Sequence, residues 1–248
     1  MDDPILTQDE RNAINDGRWF ASLSSSLRHD ILRCTYVQRY KDGDLIAARG
    51  ETPEKWMACA KGAVRIGTTS LSGKQVTLTY LEPGTWFGDI AILDGDNRPH
   101  DVHAHGDTTT VCVSRADFKS ILGQHVELYE ALLRLHARRI RQLFSLVEDL
   151  NTLPLRARLA KRLLQLLHNY GVPTGDDNTE TRLTLKLAQD ELAQLLGASR
   201  QRVNQELKAM EREDVIRVVT GGVIVRNRDV LVKISDDEHD KADDGKPA

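Results

Sequence analysis

The stretch that decides the fold is Leu192-Ala193-Gln194-Leu195-Leu196-Gly197-Ala198-Ser199-Arg200-Gln201-Arg202-Val203. Its first half belongs to an apolar-periodic run from Ala188 to Leu196, with Leu192, Leu195 and Leu196 inward, and predicts a short helix. Gly197 then supplies a tight left-handed turn, which a residue without Cβ adopts at no steric cost. Ser199 is a suitable N-cap, because its hydroxyl accepts one of the backbone N–H groups that a helix start leaves unpaired. A second helix runs from Arg200 to about Arg212, with Val203, Leu207 and Met210 facing the core. Two helices joined by a glycine turn of this length form a helix-turn-helix. Next, Arg217-Val218-Val219-Thr220-Gly221-Gly222-Val223-Ile224-Val225 sets two β-branched runs around Gly-Gly, the pattern of a hairpin wing. The whole is a winged helix-turn-helix.

Such a second helix enters the major groove of DNA by its N-terminal end. The residues off the core face there are Arg200, Gln201, Asn204 and Gln205. Arginine bridges guanine O6 and N7, and glutamine and asparagine bridge adenine N6 and N7. Ser199, Arg202 and Lys208 suit phosphate contacts. The competing reading is a solvated helical face. A generic solvated face is rich in Glu and Lys, whereas Glu206 is the only acid between Ser199 and Met210.

Upstream lies a long helical pattern that begins near Ala116. Apolar residues recur at Leu122, Val126, Tyr129, Leu133, Ile140, Leu143, Val147 and Leu150, with His136 as the one polar member of the seam. The steps alternate four and three, a heptad repeat. A helix of some 30 residues would be about 45 Å long. A seam that long must be covered, by a twin helix in a homodimer or by the rest of the same chain. Pro154 stops it, Leu155 to Tyr170 reads as a basic amphipathic helix closed by Gly171, and Val172 to Glu180 reads as a polar loop.

From Gly43 to Gly106 the pattern has period two instead. Short apolar or alternating runs (Leu45–Ala47, Trp56–Cys59, Ala63–Ile66, Gln75–Tyr80, Thr110–Val113) are punctuated by glycines, with Asp42-Gly43-Asp44 and Ser72-Gly73-Lys74 as hairpin-type turns. Strands of this length and spacing predict a β-sandwich or barrel-like roll. Ser24 to Arg33 precedes it as a short amphipathic helix. Cys34, Cys59 and Cys112 are too few and too scattered for a disulfide framework, which points to a reducing cytoplasm. His103 and His105 share a strand face near His100, but no third spaced ligand accompanies them, so no metal is expected. Neither an apolar run of membrane-spanning length nor a signal-peptide pattern is visible.

The net charge of −3 first argues against nucleic acid. Its distribution reverses that argument. Ser235 to Ala248 holds six acids and two lysines, so the rest has 32 basic and 31 acidic residues. Arg134 to Lys161 and Arg162 contribute eight bases against two acids. The acidic tail is expected to be disordered.

A glycine-rich roll, a long helix and a winged helix-turn-helix in this order resemble the cyclic-AMP receptor protein/fumarate–nitrate regulator (Crp/Fnr) family of bacterial transcription factors. The resemblance covers roughly residues 20–232, and its most specific pieces are Phe87-Gly88-Asp89-Ile90-Ala91-Ile92-Leu93 with Arg98, and the Leu192–Val203 stretch. It implies an α+β chain with an N-terminal cyclic-nucleotide-binding-like β-roll (jelly roll), a long dimerisation helix and a C-terminal winged helix-turn-helix. The implied boundaries are 1–118 for the roll, 119–153 for the dimer helix, 154–234 for the DNA-binding domain and 235–248 for the tail.

The resemblance also implies an effector site at Gly88, Asp89, Ile90, Ala91, Arg98 and Pro99. In cyclic-nucleotide-binding members a glutamate accepts the ribose hydroxyl, an arginine pairs with the cyclic phosphate, and a following Ser or Thr adds a hydroxyl and an N–H. Here Asp89 replaces the glutamate and is one methylene shorter. Pro99 replaces the Ser or Thr and lacks both donors. Leu143 and Phe144 stand where adenine-reading hydroxyls occur on the dimer helix. These departures disfavour the standard cyclic-AMP mode. Some relatives respond to cyclic di-GMP, and Arg134, Arg138 and Arg141, with Arg139, Arg156, Arg158 and Arg162, are available to form an arginine cluster with Asp89 or Asp94. The same bases equally suit DNA phosphate or a solvated dimer helix.

The expectation is a cytoplasmic homodimer that binds a pseudo-palindromic operator in double-stranded DNA. Its effector would be a cyclic nucleotide or cyclic di-GMP, and RNA polymerase would be a partner. An effector-independent regulator, or a nucleotide-sensing module acting through protein contacts, is the alternative. Neither a nucleophile–base pair nor a phosphate loop is visible, so an enzyme is not expected.

Overall fold

The structure is a computed structural model that describes residues 5–69, 75–175 and 179–236. The turn read at Ser72-Gly73-Lys74, residues 176–178 of the 172–180 loop, and the tail from 237 onward lie outside the described residues. The chain forms two compact units, residues 1–139 and 140–248.

The N-terminal unit begins with α1 (Gln8–Asp16), a 3-10 turn (Phe20–Ser22) and α2 (Ser25–Arg33). Thr7 and Glu10 close a capping box at the start of α1, and the Ser24 hydroxyl caps α2 by accepting from Leu27 N–H. The sheet strands are β1 (Thr35–Tyr40), β2 (Leu45–Ala47), β3 (Lys55–Thr69), β4 (Gln75–Leu81), β5 (Trp86–Phe87) and β6 (Asp101–Ser114). They pair antiparallel in the order β1-β6-β3-β4, with β2 added on β6 and β5 on β3. The turn at Asp42-Gly43-Asp44 forms with Gly43 at φ 82°, and the Asp44 carboxylate accepts from Lys41 N–H at 2.7 Å.

Strand alternation sorts β3 into two cores. Trp56, Ala58 and Ala60 pack with Val111 and Val113 against the helices. Met57 and Cys59 pack with Phe87, Val102 and Cys112 inside the roll. Trp56 and Trp86 meet at 4.1 Å between ring centroids, with Trp19, Phe20 and Phe118 around them, so all three tryptophans concentrate in one cluster.

One long helix from near Ala116 is not what forms. There are two, α4 (Arg115–Gln124) and α5 (Val126–Thr152), broken at His125, whose φ −123° and ψ 92° are extended. The His125 ring sits 2.8 Å from Asp30 of α2, a tertiary contact that the helical period does not register. Leu122 therefore belongs to the roll's core rather than to an exposed seam. Leu128, Ala131 and Leu132 bury the first part of α5, and Trp19 Nε1–H donates to the Ala131 carbonyl at 3.1 Å.

The C-terminal unit holds the rest of α5, then α6 (Leu155–Tyr170), β7 (Gly171–Thr174), β8 (Glu180–Leu183), α7 (Gln189–Leu196), α8 (Arg200–Arg212), β9 (Ile216–Val219), β10 (Gly222–Val225) and α9 (Arg228–Ser235). Leu159, Leu163, Leu192, Val203, Leu207, Met210, Val223 and Leu231 form its core. The segment read as a polar loop carries strand at both ends, residues 172–174 and 180. β7 and β8 extend the wing into a four-stranded antiparallel sheet, β7-β8-β10-β9. Pro173 disguises the strand in the sequence, and its lost N–H is tolerated because β7 is an edge.

Candidate functional site

The helix-turn-helix forms as its residue types dictate. Gly197 caps α7 at φ 61° and ψ 33°, the left-handed region. Ser199 caps α8, its hydroxyl accepting from Arg202 N–H at 3.3 Å, so that hydroxyl is engaged at home before any phosphate arrives. Val203, Leu207 and Met210 are buried, and Arg200, Gln201, Arg202, Gln205 and Lys208 are exposed together on the other face. Asn204 is half-buried and its Oδ1 accepts from Gln189 of α7 at 3.4 Å. Arg200 Nη1 lies 3.4 Å from Asp190 of α7, a surface ion pair that leaves the guanidinium two-thirds exposed.

A residue from outside the motif holds its turn. Arg158 of α6 donates from Nη1 to the Leu196 carbonyl at 3.0 Å, where α7 ends and its last carbonyls lack helical partners. Burial first, and then the neighbouring Arg202, push the Arg158 guanidinium below its ordinary range. The basic pattern of α6 was visible in the sequence, but nothing in it singles out Arg158 among its neighbours.

In the roll, Gly88 at φ 86° turns the chain out of β5 into α3 (Ile90–Asp94). Asp89 is fully buried. The carboxylate meets His136 Nε2 at 3.0 Å and Arg139 Nη1 at 3.2 Å, both from α5. Arg139 also donates from Nη2 to the Trp86 carbonyl at 2.6 Å. Burial works to raise the Asp89 carboxyl, and the His136 contact and the Arg139 charge overcome it, so the group is held below the ordinary carboxylate range. Helical geometry selects these two: 132, 136 and 139 are successive positions of one face. Among the described residues neither Arg134 nor Arg138 pairs with Asp89 or Asp94, as an arginine cluster there would need; Arg141 lies in the other unit. All three are exposed, and Arg134 pairs with Glu130.

Arg98 is buried and donates from Nη2 to the Lys55 carbonyl at 2.8 Å, while Ile90 and Pro99 are exposed and Ala91 is buried. The backbone of Arg98 bonds on both sides to the 50–51 segment, which fixes where the side chain starts. His105 packs edge-on against Tyr80, and among the described residues no cluster of three His, Cys, Asp or Glu suits a metal. Along α5, Val126, Leu133, Ile140, Leu143, Phe144 and Val147 are more than half exposed, an apolar row left uncovered among the described residues.

Residues 37–125 match the cyclic nucleotide-binding domain family, and residues 157–234 match the Crp-like helix-turn-helix domain family. Over 191 residues the chain is 31% identical to a CRP-like cAMP-activated global transcriptional regulator of Mycobacterium tuberculosis, covering 77% of this chain and 84% of that one. The chain belongs to the Crp/Fnr family. This Crp/Fnr protein is also 31% identical over 206 residues to a cyclic AMP receptor protein of Thermus thermophilus, covering 82% and 91% of the two chains. A solved CRP/FNR-family transcriptional regulator from the same organism shares the fold, with TM-score 0.69 and 23% identity over 82% of this chain and all of that one. The family consists of transcription regulators rather than enzymes. Among the described residues no helix is long and apolar enough to cross a membrane.

Proposed function

We propose that this Crp/Fnr regulator is a homodimer that reads a pseudo-palindromic operator through α8 and answers to a small effector in the roll. The observation that carries the reading is the exposed row Arg200, Gln201, Arg202, Gln205 and Lys208 beginning at the capped N-terminus of α8. Arg200, Gln201, Asn204 and Gln205 are the base readers; Ser199, Arg202 and Lys208 position the backbone of the duplex. The uncovered apolar row on α5 supports the dimer, because a second copy of the same helix presents a matching seam. Two-fold symmetry then sets half-sites one turn apart, about 34 Å.

The sensor is assigned to 1–118, the dimerising segment to 119–153, of which α5 is the helix that carries the seam, and the DNA-binding domain to 154–234. Gly88, Asp89, Ile90, Ala91, Arg98 and Pro99 frame the effector, a cyclic mononucleotide or cyclic di-GMP. Effector binding would move α5 near Leu150–Pro154 and reset the spacing of the two α8 helices. RNA polymerase is the downstream partner, and work on DNA places the protein in the cytoplasm.

The deciding experiment is a salt titration of binding to duplex DNA. Neutralised phosphates give a steep linear fall of log affinity with log salt. A flat line would refute the DNA reading and favour a module acting through protein contacts.

A further inference from the structure

Two side chains from the first turn of α7 reach the reading end of α8. Arg200, Asn204 and Lys208 form one i, i+4 row on α8. Asp190 lies 3.4 Å from Arg200 Nη1, and Gln189 Nε2 donates to Asn204 Oδ1 at 3.4 Å. That turn of α7 is fixed in its own right. The Ala188 N–H donates to Glu191 Oε2 at 2.9 Å, and the Leu187 N–H donates to the Gly221 carbonyl of the wing at 3.2 Å. The rotation of α8 is fixed as well, because Val203 and Leu207, beside Asn204 on the helix, are buried. Gln201 and Gln205 sit further out and are exposed, and among the described residues neither amide has a partner. Asn204 is the base reader whose amide another side chain already holds.

A carboxamide carries an acceptor at one end and two donors at the other. Bridging adenine N6 and N7 takes both ends at once. Asn204 turns its acceptor toward α7, where Gln189 engages it, and the planar amide then directs Nδ2–H2 the other way. Giving up Oδ1 to a base would leave the Gln189 donor unpaired in an interface that DNA has stripped of water, the costly way to lose a hydrogen bond. The end of Asn204 left for DNA is thus a donor. Its complements in the major groove are acceptors, O6 and N7 of guanine or O4 of thymine. The amino groups at adenine N6 and cytosine N4 meet it donor to donor, which discriminates against them.

We infer that Gln189 sets what Asn204 reads. It is a positioning residue that holds the amide with its donors toward the groove, so that Asn204 selects a keto base, guanine or thymine, on the strand it faces. This rests on α8 being the DNA-reading helix, and it replaces adenine as the partner of Asn204.

The test uses the full-length protein and its Asn204→Ala, Gln189→Glu and Gln189→Ala variants, each selecting duplexes from a library of randomised sequence. The parent should recover guanine or thymine at one position of each half-site, favoured about tenfold over adenine and cytosine, and Asn204→Ala should lose the preference at that position alone. A glutamate carboxylate only accepts, so in Gln189→Glu the Asn204 amide turns Nδ2–H2 toward α7 and offers Oδ1 to the base. The preference at that position should then reverse to adenine or cytosine, while the position read by Arg200 keeps its own. The added charge weakens binding to every duplex, so the ratio between bases is the readout, and a merely structural role would not reverse it. Gln189→Ala frees Oδ1 without a new partner and should admit adenine at that position; it carries the test if the glutamate variant does not fold. An unchanged or merely lost preference in Gln189→Glu overturns the proposal. So does adenine in the parent's own selection, or an Asn204→Ala selection identical to the parent's, and these leave α8 as the reading helix. No enrichment by the parent removes α8 from base reading and the proposal with it.

Discussion

Arg200 is the residue on which sequence-specific recognition depends most directly. Its guanidinium is exposed at the first turn of α8 and, among the described residues, tethered by Asp190, an exposed pair worth little in water. Arg200→Ala is expected to cost about 1–3 kcal/mol on the specific operator and to relax preference at one base position. Binding measured against the operator and random duplex checks this, and equal loss on both would remove Arg200 from base readout. Glu10 is a different kind of residue. It is buried, receives Arg39 at 2.8 Å and the Thr109 hydroxyl at 2.7 Å, and caps α1 through Thr7 N–H. Burial works to raise its pKa, but Arg39, Thr7 and Thr109 together bring it from 4.5 to about 2. A lowered folded-state pKa stabilises above the unfolded value and is lost as pH falls through the folded one. The contribution from Glu10 is thus full above about pH 4.5 and disappears toward pH 2. Unfolding midpoints measured across that window should fall, and Glu10→Gln should flatten the fall.

At the scale of elements, most helices of the C-terminal unit were legible because cap and period agree. Pro154, Gly171, Gly197 and Ser199 mark boundaries that the structure places at the same residues. Several elements were not legible, β1 and α3 among them. α1 and α9 are only nine and eight residues long, and the β7–β8 hairpin carries a proline that reads as loop. The break at His125 escaped for another reason: a heptad count has no access to the Asp30 contact that favours it. Two predictions belong here. Leu143→Glu on the uncovered face of α5 should convert a dimer to monomer, read by sedimentation, without lowering the monomer's own stability, since the side chain is 61% exposed. Arg158→Met should destabilise the C-terminal unit by about 1–3 kcal/mol, because the Leu196 carbonyl loses its donor. Thermal unfolding checks the second, and an unchanged midpoint would show that water replaces the guanidinium freely.

At the scale of the whole chain, the net charge of −3 is an average that conceals where the bases sit. Lys208 and Arg202 are exposed on α8, and Lys208→Ala should weaken all duplexes alike and reduce the salt slope by about one. Measured slopes for parent and variant decide it. What the residues alone determined was architecture: period two between glycines, period 3.6 between caps, and a turn that needs Gly197. Those signals are local, so they survive in a linear reading. The surroundings of Asp89 were decided by tertiary structure. Arg134, Arg138, Arg139 and Arg141 look alike in the chain, and only the face on which α5 packs selects Arg139 and His136 for the carboxylate. The same holds for Lys55, an ordinary lysine until strand pairing brings its ammonium to Gln38 Oε1 and Tyr40 Oη. Burial and charge partnership are properties of distant residues brought together, and no spacing along the chain encodes them.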